Sequence, residues 1–144
     1  MSHLISNRYL LASALASVIF IAIPLARADT PTLEGKVFVA DAGEKDQVAD
    51  EKGDVMTFSQ GKFHSSACDQ WGYGKGDYKA TALDDALVFE VETTSAKDGR
   101  LVWKGTVRGD KIEGTFMHYR KGGFFNAHPA PVEHWFKGAI KSQG

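Results

Sequence analysis

The sequence holds a single cysteine, Cys68. No internal disulfide can brace the fold, even in an oxidising compartment, so stability has to come from a packed core. A basic excess is also missing: 17 Lys and Arg face 18 Asp and Glu, which is not the electrostatic footprint of a nucleic-acid binder. There is no His-Glu-x-x-His, no Cys-x-x-Cys and no Cys-x-x-Cys-His, so the sequence-local frameworks for metal or covalent haem do not apply. The polar stretch 42–53 carries Glu44, Lys45, Asp46, Asp50, Glu51 and Lys52 without the alternating oxygen ligands and central glycine of an EF-hand, and it reads as a solvated loop. Beyond residue 28 no segment shows the 3.6-residue period of an amphipathic helix.

One long apolar run is present, at the N-terminus. Arg8 precedes an almost unbroken apolar stretch over residues 9–23, and Ala26-x-Ala28 follows it. A positive flank, an apolar stretch and a small-residue cleavage site are the pattern of an export signal peptide. The run of 15 residues is shorter than the ~20 that a spanning helix needs, and no cysteine follows it to carry a lipid. Residues 1–28 are therefore expected to be removed, leaving a single domain at 29–144 in the periplasm or secreted, with no permanent membrane anchor. Loss of Arg8 and Arg27 leaves 15 basic against 18 acidic residues, a net charge of -3. The 116 residues that remain are enough for one modest core and too few for two.

From residue 35 onward the dominant period is 2. Strands are predicted over 35–41, 54–59, 62–67, 78–83, 86–93, 100–107, 111–120 and 132–141. Residues 30–33 read as a lead-in. Two-residue turns at Gln60-Gly61, Asp84-Asp85 and Gly109-Asp110 set the register. They place Phe58 opposite Phe63, Met56 opposite Ser65, Ala80 opposite Phe89, Tyr78 opposite Val91, Val107 opposite Ile112 and Trp103 opposite Phe116. His118 then falls opposite Leu101 on the same inward face. Taking the loop 121–131 as symmetric about Asn126 pairs Ile112 with Ile140, Gly114 with Gly138, Phe116 with Phe136, and His118 with His134.

Eight consecutive antiparallel strands bury their edges best by closing into an up-and-down barrel, with a two-sheet sandwich as the alternative that the same alternation permits. The connections sort by length. The short turns share one end, and the longer stretches 42–53, 68–77, 94–99 and 121–131 share the other. One end should be tight and the other an open mouth, where function tends to sit.

Spanning residues 35–141, this arrangement resembles the lipocalin and wider calycin group of exported eight-stranded barrels. The resemblance is one of architecture: Gly35-Lys36-Val37 stands where lipocalins usually carry Gly-x-Trp, and the single cysteine leaves no family disulfide. It implies a binding protein for a small, mostly apolar ligand held at the open end.

On such a barrel His118 and His134 line the inner rim of the mouth, with Leu101 and Trp103 beside them. Bulky Phe58, Phe63, Leu87, Val107 and Ile112 fill the closed end, while Ser65, Ala67 and Ala80 leave room higher up. Trp71 and Tyr73 lie in one mouth loop and Tyr78 starts the strand after it. His128, Phe124 and Phe125 lie in the last mouth loop. Together these ten residues form the predicted ligand site, an apolar body with a few polar groups. Neutral imidazole is a common metal ligand, so the His118 and His134 pair would suit a transition metal or a noncovalent haem, with His128 as a third ligand that could swing in. Strand parity points His64 and Cys68 outward, away from that site. An outward thiol also offers a route to a disulfide-linked homodimer. No nucleophile has a base placed beside it, so the sequence leans away from an enzyme. The alternative to a ligand carrier is a protein-recognition or inhibitor module that presents the aromatic, proline-flanked loop 121–131.

Overall fold

All eight predicted strands form, with the first two running three residues each into the stretch 42–53, expected to be a solvated loop. The computed structural model describes residues 30–142; the expected leader at 1–28 lies outside them. The strands are β1 (Val37–Glu44), β2 (Glu51–Ser59), β3 (Lys62–Ser65), β4 (Gly76–Leu83), β5 (Ala86–Ser95), β6 (Gly99–Arg108), β7 (Lys111–Arg120) and β8 (Val132–Ile140). They pair in sequence order, and β8 returns to β1, so the sheet is a closed eight-stranded antiparallel up-and-down barrel. Closure pairs every strand on both sides, although β3 and β4 share only two residue pairs. No helix among the described residues is long and apolar enough to cross a membrane.

The predicted hairpin registers hold at Phe58↔Phe63, Met56↔Ser65, Ala80↔Phe89, Tyr78↔Val91, Val107↔Ile112, Trp103↔Phe116 and Leu101↔His118. At Gln60-Gly61 both residues take positive φ, 54° and 71°, as a tight hairpin turn between right-twisted strands requires.

The interior is an aromatic column. Phe58 sits at its closed end, touching Phe38, Phe63, Tyr78 and Phe89 with ring centroids 5.0–6.1 Å apart. Phe63 meets Trp103 at 5.0 Å, and Trp103 meets Phe116 at 4.2 Å. Each fully buried ring removes a large apolar area from water, and edge or offset contacts of this kind add roughly 0.5–1.5 kcal/mol per pair. The indole Nε1 of Trp103 donates to Thr93 Oγ1 at 3.1 Å, so the one polar atom of that ring is satisfied in the core.

Four further features differ from the sequence reading. First, the β7–β8 register is displaced by two residues: Ile112 pairs with Gly138, Gly114 with Phe136, Phe116 with His134 and His118 with Val132. The connection is not symmetric about Asn126. Packing supplies the reason. Inward Gly114 and Gly105 have no side chain, and the Phe136 ring lies over both; a Cβ on either would come within 2.8 Å of Phe136 Cζ. A slip of two keeps every side chain on its predicted face, because strand parity repeats every two residues.

Second, the chain from Ser66 to Trp71 is a short 3-10 helix rather than strand followed by loop. Third, the lead-in is structural: Leu33 is fully buried, and the Glu34 carboxylate accepts hydrogen bonds from the backbone N–H groups of Gln60 and Gly61 and from Tyr78 Oη. These bonds hold the Glu34 carboxyl below its ordinary range. Leu33 therefore plugs the closed end. Fourth, Ala80 does not line the interior. It is exposed, because β3 is short and pairs with β4 only at Lys62↔Asp77 and Phe63↔Gly76. Most of β4 runs past the end of its neighbour.

Candidate functional site

The mouth end is built by the strand ends and longer connections that the sequence placed there. The 3-10 helix folds across it because a buried carboxylate anchors its first turn. Asp54 Oδ1 accepts from Ala67 N at 2.9 Å and from Ser66 Oγ at 3.1 Å, while Asp54 Oδ2 accepts from Ser65 Oγ at 2.6 Å. Ser66 Oγ in turn accepts from Val55 N at 2.9 Å. The helix is tied to the β5–β6 connection: Ser95 Oγ donates to the Trp71 carbonyl at 2.6 Å, and Gly74 N donates to the Thr94 carbonyl at 3.3 Å. That connection is tied onward to the end of β7, where Lys121 N donates to the Asp98 carbonyl at 2.7 Å and Lys121 Nζ to the Ala96 carbonyl at 2.8 Å. Three mouth segments are thus cross-braced by backbone groups.

Below this brace lies a cavity of about 520 Å³, the size of a small-molecule site. One wall is apolar and aromatic, formed by Leu101, Trp103 and Phe116 from β6 and β7. His134 continues it, with its imidazole stacked on the Phe116 ring, centroids 4.7 Å apart and planes 1° from parallel. The facing wall is Ser65, Ala67, Cys68, Trp71 and Tyr73. Asp50, Glu51, Asp54, Asp98 and Arg120, with Ala42 and Gln70, complete the lining.

His118 and His134 both face inward at the mouth. They are not directly opposed: His118 lies across from Val132 and His134 from Phe116. The diagonal offset still leaves their rings 6.2 Å apart, as expected for neighbours one pleat apart on the same face. Burial holds the His134 imidazole below the usual histidine range, against the nearby Glu44 and Asp50 carboxylates, so it is neutral at pH 7. His118 Nε2 lies 3.0 Å from Asp98 Oδ2. The approach does not have hydrogen-bond geometry, and that nitrogen is buried without a partner. Asp98 Oδ2 instead accepts from Tyr73 Oη at 2.8 Å. Burial first, then this acidic partner, pushes the Tyr73 phenol upward, so it stays a donor.

Of the ten predicted site residues, the fold brings together six: His118, His134, Trp71, Tyr73, Leu101 and Trp103. Tyr78 lies elsewhere, packed on Phe58 near the closed end. His128, Phe124 and Phe125 stand in the exposed β7–β8 connection, the two phenylalanines 96% and 98% exposed. Cys68 is the reverse case. The 3-10 helix breaks strand parity and turns its thiol in, against the core and 3.2 Å from Ser65 Oγ. Burial pushes that thiol up to about 11, assisted by the Asp54, Asp69 and Glu51 charges and opposed by the Ser65 hydrogen bond. The outward parity of His64 holds: its Nε2 pairs with Asp69 Oδ1 at 2.7 Å on the outer surface.

Several lining residues went unread in the sequence. Asp54 had a signal, since it shares inward parity with Met56 and Phe58. Asp50, Glu51 and Asp98 had none, because they depend on how the mouth connections fold. Among the described residues no group of three or more His, Cys, Asp and Glu is arranged to hold a metal ion. His118 and His134 offer two imidazoles, and a metal or haem would need further ligands from outside this set.

Comparison with known protein families, with curated proteins and with solved structures finds no match to this chain.

Proposed function

We propose that this chain is an exported, lipocalin-like binding protein that holds one small, largely apolar molecule at the open end of its barrel. The observation that carries the reading is the cavity of about 520 Å³ between Trp103 and Phe116 on one side and Trp71 and Tyr73 on the other. A closed barrel of eight strands can be filled by side chains or can hold one small ligand. Here the closed half is filled and the mouth half is not. An apolar wall supplies affinity through area removed from water, while His118, His134 and Tyr73 supply the few polar contacts that orient a ligand. Nothing in this arrangement supplies an activated nucleophile: the Cys68 thiol is pushed up to about 11 and is neutral.

Titration of the purified protein with the neutral fluorophore N-phenyl-1-naphthylamine tests the reading, since Trp71 and Trp103 lie against the cavity. Saturable binding that is lost in Phe116→Arg supports it. Absence of binding by this probe and by a panel of fatty, aromatic and terpenoid compounds, with no small molecule co-purifying, overturns it. Export rests on the Ala26-x-Ala28 pattern; N-terminal sequencing of the secreted or periplasmic protein should begin at Asp29, and an intact Met1 would refute it.

A second reading is favoured by the exposed Phe124 and Phe125, whose rings pack only on each other in a T-shape at 5.2 Å. Aromatic side chains held out by a loop are the anchors of protein recognition. In this reading the loop 121–131 docks on a partner protein, as an inhibitor or adhesion module would. Phe124→Ser with Phe125→Ser would abolish that contact and leave binding in the cavity unchanged.

A further inference from the structure

We infer that the ligand of the mouth cavity is an organic cation, a primary or substituted amine carried on a flat apolar body. The inference rests on the small-molecule reading above and goes further, to the charge of the molecule. The residues that line the cavity include four acidic ones, Asp50, Glu51, Asp54 and Asp98, against one basic one, Arg120. Asp54 is engaged by Ser65, Ser66 and the Ala67 N–H. Asp50 and Glu51 form no ion pair among the described residues. Carboxylates in a cleft with low-dielectric walls focus a negative potential and raise the local concentration of cations.

The walls suit the same charge. Trp71, more than half exposed, brings an aromatic face to the space, while Trp103 is buried and Phe116 is stacked between Trp103 and His134. A cation over an open aromatic face is attracted by the ring quadrupole. An open aromatic face with acidic groups beside it is an arrangement that recognises ammonium groups. A carboxylate or phosphate ligand would instead meet uncompensated negative charge on entry. Among the acidic residues of the lining, Asp98 lies beside His118. His118 Nε2 is buried in the lining with no hydrogen-bond partner, 3.0 Å from Asp98 Oδ2. A donor N–H reaching Asp98 would meet a carboxylate whose one side-chain hydrogen bond among the described residues comes from Tyr73 Oη. A bare metal ion fits less well, because no three ligating side chains converge among the described residues. An ammonium needs only one or two carboxylates and an apolar surface for its body.

Three indole compounds of matched size separate the possibilities: tryptamine (cationic), tryptophol (neutral) and indole-3-acetate (anionic). Each is titrated calorimetrically into the full-length purified protein at neutral pH and low salt. Tryptamine should bind about tenfold or more tighter than tryptophol, with indole-3-acetate weakest, and the preference should shrink as salt screens the field. The double variant Asp50→Asn with Glu51→Gln should weaken tryptamine about five- to tenfold while tryptophol stays within about twofold, the pattern of a lost charge rather than a lost cavity. Far-ultraviolet circular dichroism confirms that the variant retains the barrel. Equal or tighter binding of tryptophol or indole-3-acetate, or unchanged tryptamine affinity in the double variant, overturns the inference. If no indole binds but N-phenyl-1-naphthylamine does, the cationic ligand falls and the small-molecule reading stands. If that probe and the fatty, aromatic and terpenoid panel also fail, with no small molecule co-purifying, both fall.

Discussion

The two ends of this barrel use the same residue types to opposite effect. At the closed end Phe38, Phe58, Phe63 and Phe89 are fully buried, Leu33 plugs the opening, and each ring is packed on others. At the mouth Trp71 is more than half exposed, Phe116 is half-buried, and polar groups replace apolar partners on the facing wall. The difference lies in what the connections leave behind. Two-residue turns bring strand ends together so that side chains from neighbouring strands meet. The longer connections are tied to one another by hydrogen bonds to backbone carbonyls rather than by packed side chains, and the space beneath them stays open. Tight aromatic packing is concentrated at one end and open space at the other.

The sharpest way to break this comparison is to remove one ring from each end. Phe58→Ala should cost about 3–5 kcal/mol in urea unfolding, because the hole it leaves is walled by four other aromatic rings and cannot collapse. Phe116→Ala should cost only about 1–2 kcal/mol, since part of that ring already faces the cavity. Equal losses would mean that the mouth is packed like the closed end. Next in size is Gly114→Ala. Its Cβ would sit 2.2 Å from the Lys104 carbonyl oxygen and 2.6 Å from Phe136 Cζ, and a backbone oxygen cannot swing aside. A loss of about 1–3 kcal/mol is expected from such overpacking. A neutral result would mean that Phe136 does not lie over the glycine pair.

Gly114 also shows where the sequence stopped being informative. Period-2 alternation fixes which face a residue occupies, so Phe116, His118, His134 and Phe136 all point as predicted. The pairing partner is a separate quantity. A tight turn such as Gln60-Gly61 leaves one choice, and the registers around such turns were readable. The long β7–β8 connection leaves several, and a ring-over-glycine contact that no pattern announces selects among them. The same division runs through the site. Residues on strands (Leu101, Trp103, His118) could be assigned to the cavity by parity alone. Cys68 could not, because the helical turn at Ser66–Trp71 depends on Asp54, which lies on another strand. Tyr78 was misplaced for a related reason: parity gives the face but not the height along the barrel, which follows from the short β3.

The mouth should also be where stability responds to mild acid. The folded His134 imidazole titrates below its ordinary range because it is partly buried, with His118 and Arg120 acting in the same direction and Glu44 and Asp50 opposing them. In the unfolded chain the ring takes up a proton near pH ~6.5, before the folded ring does. Between those two points the unfolded state binds more protons, so stability is full above the unfolded value and falls as pH drops towards the folded one. The slope should be less than one proton, measured as unfolding free energy against pH from 7.5 to 5.5. His134→Leu should flatten it, and a slope that persists in that variant would assign the titration elsewhere.

The smallest expected effect belongs to Cys68, where the two ends predict different behaviour for one thiol. An outward cysteine would react freely and could cross-link two chains. The observed thiol is turned against the core beside Ser65 and raised to about 11. At pH 8 its thiolate fraction is then about one in a thousand, against roughly one in four for a free cysteine. Higher intrinsic nucleophilicity recovers roughly a tenfold part of that difference. Alkylation by iodoacetamide should therefore run roughly tenfold or more slower than for a free thiol, and should accelerate once urea unfolds the barrel. Cys68→Ser should shift stability by less than about 1 kcal/mol, because a hydroxyl there keeps the hydrogen bond to Ser65. A disulfide-linked dimer would require the 3-10 helix to open, so non-reducing gels of native protein should show monomer. Rapid alkylation of the native protein at the free-cysteine rate would put Cys68 back on the outside, and with it the 3-10 helix that walls one side of the cavity.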